Sequence, residues 1–273
     1  MILDDATSEI YYAQLVEEES TRTVMAALRD VIEQKGLFCA LYSDRGSHFF
    51  LTPKTGEPVD KQRLTQVGRA MKEWGIQMIP AYSPQARGRS ERSFGTWQGR
   101  LPQELRLANI TTVDEANTFL RERYLAEFNQ KFTVPAKERG TAFRKTGRSD
   151  LDWIFSIQTE RVVARDNTIA FRDQIGQLEK TRWRYSLAGC TVTVHEHLDG
   201  RISVRYGPHA VANWSRSEAE KPEPRRGKGG VVENQTAVSP ASLEISFKAR
   251  DSHFLTAPTV TMQTQKKGKT KAA

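Results

Sequence analysis

The sequence predicts an α/β layer structure from its start to about residue 145, then a small all-β barrel, then a disordered basic tail. Three observations carry this. Strand-like and helix-like apolar patterns alternate over the first part, separated by Gly and Pro. Beyond about residue 151 the apolar period shortens to two. From Ser215 onward Pro, Gly, Lys, Ser and Thr dominate.

The elements follow in order. "EIYYAQLVEE" is rich in tyrosine and aliphatics and reads as a strand. Ser20 opens a helical stripe of Val24, Ala27, Leu28, Val31 and Ile32, which Gly36 closes. "LFCALY", 37–42, is a continuous apolar run suited to a strand covered on both faces. A second helix is expected from about Asp60, with Leu64, Val67, Met71 and Trp74 inward and Gly75 as its stop. "IQMI", 76–79, is a short strand ended by Pro80. A third helix is expected from Arg89 or Ser90, with Phe94, Trp97, Leu101 and Leu105 at helical spacing and Pro102 as a candidate bend. Gly95 and Gly99, four apart, offer a place for close packing. Thr112 and Glu115 form a capping box for a fourth helix lined by Ala116, Phe119, Leu120, Tyr124 and Phe128. In the second part a turn at Asp166-Asn167 separates two strands, and Asp199-Gly200 turns a hairpin. A local strand at "SLEISF" is the one regular element expected in the tail.

Composition narrows the class. Lys and Arg number 41 against 33 Asp and Glu, a net charge of +8. That balance suits a polyanionic partner, nucleic acid above all. The closing "KKGKTKAA" holds four of the lysines and no acid. No run approaches the roughly 18 apolar residues of a membrane helix, and "MILDDATSEI" lacks the pattern of a signal peptide. The two cysteines, Cys39 and Cys190, sit in apolar segments and fit free thiols in a reducing cytoplasm. They also exclude a cysteine-based zinc site. His195 and His197 alternate on one face of a strand, where surface placement is the ordinary reading and metal binding the alternative. Trp153, Trp183 and Trp214 are expected to fill or cover the barrel core, with base stacking as the other reading.

Two carboxylates stand out. Asp44 directly follows the apolar run 37–42, in "YSDRGSHF". Asp-Arg-Gly is turn chemistry, yet sites in α/β sheets collect at the carboxyl ends of strands. Both readings stay open on the tripeptide. Glu91 is expected in the first turn of the third helix, where the dipole and free N–H groups favour an anion. Hard cations such as Mg²⁺ take oxygen ligands and keep several waters. Two such ions about 4 Å apart serve phosphodiester chemistry, provided carboxylates converge from different elements. Arg87, Arg89 and Arg92 crowd Glu91. With Arg45 and Arg100 they are candidate contacts to a phosphate backbone.

At these residues a resemblance emerges. "DDATSEIYYAQLVEEEST", "YSDRGSHF" and "AYSPQARGRSERSFGTWQGRL", taken in this order, resemble the catalytic core of bacterial insertion-sequence transposases of the retroviral-integrase-like Asp-Asp-Glu superfamily. The resemblance covers about residues 1–145. It implies an RNase H-like core, Mg²⁺ or Mn²⁺ as cofactor, and the cutting and joining of DNA strands. It implies that Asp44 and Glu91 are catalytic metal ligands, and that transposon ends and target DNA are bound, usually by a multimer. It also implies that residues 158–214 form the small β-barrel that often follows such a core.

The resemblance has one departure. The core is expected to lack its first strand and that strand's aspartate, because "MILDDATS" matches the end of the second strand and its turn. Asp4 and Asp5 are then turn residues, and the strands beside the gap are expected to expose unpaired backbone groups. The expected consequence is an N-terminally truncated transposase, inactive in this form. A DNA-binding remnant without catalysis and an ordinary RNase H-type nuclease are the competing functions.

Overall fold

The computed structural model describes residues 1–52, 58–60, 62–82, 84–138, 140–147, 150–215 and 260–263, with backbone alone at 84–89, 215 and 260–263. Two compact units emerge: Met1–Ser149 with Ser242–Ala273, and Asp150–Ala241.

The first unit is built on a five-stranded sheet. In chain order its strands are β1 (Ile2–Asp4), β2 (Ile10–Tyr12), β3 (Ala40–Ser43), β4 (Gln77–Pro80) and β11 (Val260–Gln263). Their spatial order is β2-β1-β11-β3-β4. Strand β11 runs parallel to β1 and antiparallel to β3, pairing Thr261 with both Leu3 and Tyr42. This corrects two expectations. The backbone edges of β1 and β3 are paired, and part of the expected tail is a sheet strand. "SLEISF" lies outside the described residues.

Helix α1 (Thr21–Lys35) forms as its sequence dictates. Ser20 accepts the Thr23 N–H, the Thr23 hydroxyl accepts the Ser20 N–H, and all five expected stripe residues are buried, with Met25 beside them. Gly36 ends the helix at φ 103°, and a Cβ there would stand 2.6 Å from the Arg144 carbonyl oxygen. Helix α2 (Gln66–Glu73) starts later than expected, because the Thr65 hydroxyl caps it by accepting the Gly68 N–H. Leu64 therefore precedes the helix and is 43% exposed, while Val67, Met71 and Trp74 point inward.

Helix α3 (Pro84–Leu107) starts earlier than expected and runs through Pro102. Pro84 stands at the first helical position, where its fixed φ suits the helix and its missing N–H costs nothing. Trp97, Leu101 and Leu105 form its buried row. Close packing at Gly95 and Gly99 is not found, since a Cβ at either would meet nothing within 4 Å.

The fourth helical stretch comprises α4 (Val113–Phe119), a π turn (Leu120–Tyr124) and α5 (Leu125–Phe132). Its core row of Ala116, Leu120, Tyr124 and Phe128 repeats every four residues. In an α-helix such a row drifts about 40° per step. The π turn absorbs the extra residue and keeps the row facing Trp97, whose ring centroid lies 5.1 Å from those of Tyr124 and Phe128.

The second unit opens with the short helix α6 (Leu151–Ile154). Strands β5 (Ile157–Val162), β8 (Thr191–Glu196), β9 (Arg201–Tyr206) and β10 (His209–Ser215) form an antiparallel sheet in the order β10-β9-β8-β5. Strands β6 (Thr168–Phe171) and β7 (Gln174–Gln177) pair separately. The Asp199-Gly200 hairpin is present between β8 and β9, with Gly200 at φ 92°. The turn at Asp166-Asn167 is present too, but β5 and β6 flank it without pairing, because β5 pairs β8. Val194, Val204, Ile169, Phe171 and Leu178 lie in the core. Trp214 covers that core, donating its indole N–H to Gln174 Oε1 at 3.1 Å.

Candidate functional site

The site residues are placed by the parallel pair β3 and β4, in which Ser43 stands beside Pro80. The Ala81 N–H donates to the Ser43 carbonyl oxygen at 2.9 Å, so both strands deliver their carboxyl ends to one edge. Asp44 is the first residue past β3 and is half-buried. Its Oδ1 accepts the Gly46 N–H at 2.9 Å, and the Phe49 and Phe50 N–H groups donate to the Gly46 carbonyl oxygen. Asp44 is thus a turn residue in local geometry. Among the described residues, both carboxylate oxygens keep lone pairs beside this hydrogen bond for a further partner.

Glu19 is the neighbour that inspection of the sequence misses. It precedes the Ser20 cap of α1, and its pKa is pushed up to about 7, first by burial and then by the Asp44 charge, with the Met1 amino group opposing. An acid next to a helix cap is the one local signal for it. The approach of Glu19 to Asp44 depends on the whole sheet. His48 also faces α1, with Nδ1 3.2 Å from the Thr21 hydroxyl.

Asp4 does not join them. The register sets Asp4 level with Met262 and hence with Leu41, three residues before Asp44. That separation is about 10 Å along the strands and two strand spacings across. Asp4 is instead the buried last residue of β1, where its Oδ2 accepts from the Thr7 N–H and hydroxyl and opens the turn into β2.

Glu91 is exposed on α3. Because the helix begins at Pro84, Glu91 stands about two turns in rather than in the first turn. The expected help from the helix N-terminus therefore does not reach it. Gly95 and Gly99 continue its line at four-residue steps and are exposed, leaving the helix backbone open beside it. Arg92 is exposed, Arg45 lies with its guanidinium 5.4 Å from the Tyr82 ring, and Arg100 lies 5.1 Å from the Phe132 ring. The side chains of Arg87 and Arg89 lie outside the described residues. Among the described residues, no three or more His, Cys, Asp or Glu side chains stand together as a metal-holding group.

Two relatives resemble this chain. "Putative transposase y4bF" of Sinorhizobium fredii is 32% identical over 213 residues, which is 77% of this chain and 46% of that protein. "Transposase for insertion sequence IS1202" of Streptococcus pneumoniae is 30% identical over 175 residues, 64% of this chain and 37% of that protein. The chain is similar to insertion-sequence transposases. It spans less than half the length of either relative. No protein-family model matches it. No described helix is long and apolar enough to cross a membrane.

In this transposase-like chain the second unit departs from expectation at two places. His195 and His197 are buried rather than exposed, at 4% and 3%. Their Nδ1 atoms lie 2.9 Å from the Ser156 hydroxyl and the Asp152 carbonyl oxygen, and both rings meet Trp153 edge-on. Trp153 also carries the Arg205 guanidinium 4.0 Å from its ring, so it sits between that cation and the two histidines. Trp183 does not cover the core, being 47% exposed.

Proposed function

We propose that this chain acts in DNA transposition as part of an insertion-sequence transposase with a retroviral-integrase-like Asp-Asp-Glu core. The observation that carries the reading is the 213-residue match to a transposase. In this reading the first unit is RNase H-like, and the second is a small DNA-binding barrel. The whole protein works as a homo-oligomer on transposon ends and target DNA.

Asp44 and Glu91 would hold Mg²⁺ or Mn²⁺. The donor chemistry fits, because hard cations take carboxylate oxygens and complete their shells with water. Held by these residues, such an ion would supply the activation of water or a 3′-hydroxyl and the charge to steady the departing oxygen of a phosphodiester. The chain's own residues do the rest. The Gly46 N–H fixes the Asp44 carboxylate at the strand end. Arg45, Arg92 and Arg100 offer cations to the DNA backbone, and the open line of Gly95 and Gly99 lets that backbone approach Glu91.

The test is nicking of supercoiled plasmid by the whole transposase in Mg²⁺ or Mn²⁺. Asp44→Ala and Glu91→Ala are each expected to lower the rate at least a hundredfold. Full activity in both variants overturns the catalytic assignment. DNA binding with no metal-dependent cleavage by the unaltered chain favours the non-catalytic reading.

A further inference from the structure

The segment "KTRWRY", Lys180–Tyr185, lies on the surface of the second unit and presents rings and cations together. Trp183 keeps 47% of its surface in water and Tyr185 keeps 73%. Lys180, Arg182 and Arg184 are exposed beside them. An aromatic residue whose task is to fill a core is buried, and these are not.

The rings are held rather than loose. Trp183 stacks on Tyr206 at 12° between planes with centroids 5.9 Å apart, and meets His209 at 4.6 Å. Arg184 donates to the Tyr206 hydroxyl at 3.2 Å, and Lys180 to the Tyr185 hydroxyl at 3.0 Å. The segment is also fixed at its base. Thr181 accepts the Arg184 N–H through its hydroxyl, which in turn donates to the Arg184 carbonyl oxygen. Asn167, at φ 63°, ties both ends down, accepting the Leu187 N–H at 2.8 Å and donating to the Leu178 carbonyl oxygen at 3.0 Å. A platform ordered before binding loses less entropy when it binds.

We infer that this platform binds single-stranded DNA, with Trp183 and Tyr185 stacking unpaired bases and Lys180, Arg182 and Arg184 meeting the phosphates. Duplex DNA keeps its base faces inside the stack, so exposed rings gain nothing from it. Unpaired bases offer a π face to every aromatic side chain, and cations nearby serve the backbone. The inference deepens the transposition reading by naming a substrate form, unpaired strand, and rests on DNA being the partner. It assigns the second unit a binding site of its own.

The test is fluorescence anisotropy of the full chain with a labelled 20-nucleotide oligo(dT) and with a 20-base-pair duplex. Stacking on an aromatic ring is worth about 1–3 kcal/mol per base, so Trp183→Ala should weaken oligo(dT) binding about tenfold. Trp183→Phe should restore most of it. Tyr185→Ala should weaken it as well, and its 73% exposure leaves folding intact. Removing Arg182 and Arg184 together should flatten the salt dependence by about 0.7 in slope per phosphate released. Duplex affinity should change less than twofold in the two aromatic variants. Unchanged oligo(dT) affinity in both overturns the inference, and so does an equal loss on duplex. If Asp44→Ala still abolishes plasmid nicking in that case, the transposition reading stands. If the unaltered chain binds neither DNA, both fall.

Discussion

The side-chain amide of Asn129 closes both backbone hydrogen bonds of Ile10. It accepts the Ile10 N–H at 2.9 Å and donates to the Ile10 carbonyl oxygen at 2.8 Å. Asn117 treats Leu15 the same way, at 2.8 and 2.9 Å. Strand β2 is the sheet edge, where unpaired backbone groups invite other strands. Two asparagines twelve positions apart on one helical stretch thus stand in for a missing neighbour. Asn129→Ala leaves a donor and an acceptor unpaired, each worth about 1–3 kcal/mol. Urea denaturation should show a loss of about 2 kcal/mol or more, and a loss below 0.5 kcal/mol would reject the role.

Strand β11 joins β1 to β3 from a position more than 200 residues away in sequence. Thr261→Pro places a residue without an N–H in the middle of that sheet, costing about 1–3 kcal/mol. Thermal melting of the full chain should drop accordingly. An unchanged melting temperature would show that β11 does not support the sheet.

Glu19 makes stability depend on pH in a defined direction. Its folded pKa of about 7 lies above its ordinary 4.5. The folded state therefore holds the proton more tightly, and stability falls as pH rises from about 4.5 to 7. Glu19→Gln should flatten the change in that window and raise the melting temperature at pH 8. A variant as pH-sensitive as the parent would remove Glu19 from the account.

Gly95 and Gly99 sit inside α3 with open space around them. Gly95→Ala and Gly99→Ala should each stabilise the fold by about 0.5–1 kcal/mol, read from the urea midpoint.

Helix α1 was legible in the sequence because Ser20, its apolar stripe and Gly36 are all local signals. The starts of α2 and α3 were less so, since Thr65 and Pro84 compete with equally plausible positions nearby. Strand β11 left no signal, because four residues in a polar segment become a strand only where two edges await them. Asp44 was legible as a strand-end acid, but Glu19 reaches it only through the fold. Trp183 misled because ring size suggests burial, while the flanking Arg182 and Arg184 already suggested surface.

The central claim is that Asp44 and Glu91 share a divalent cation. Calorimetric titration of Mn²⁺ into the full chain tests it without relying on turnover. Binding should weaken at least tenfold in Asp44→Ala and in Glu91→Ala alike. Unaltered Mn²⁺ affinity in both variants would contradict the claim.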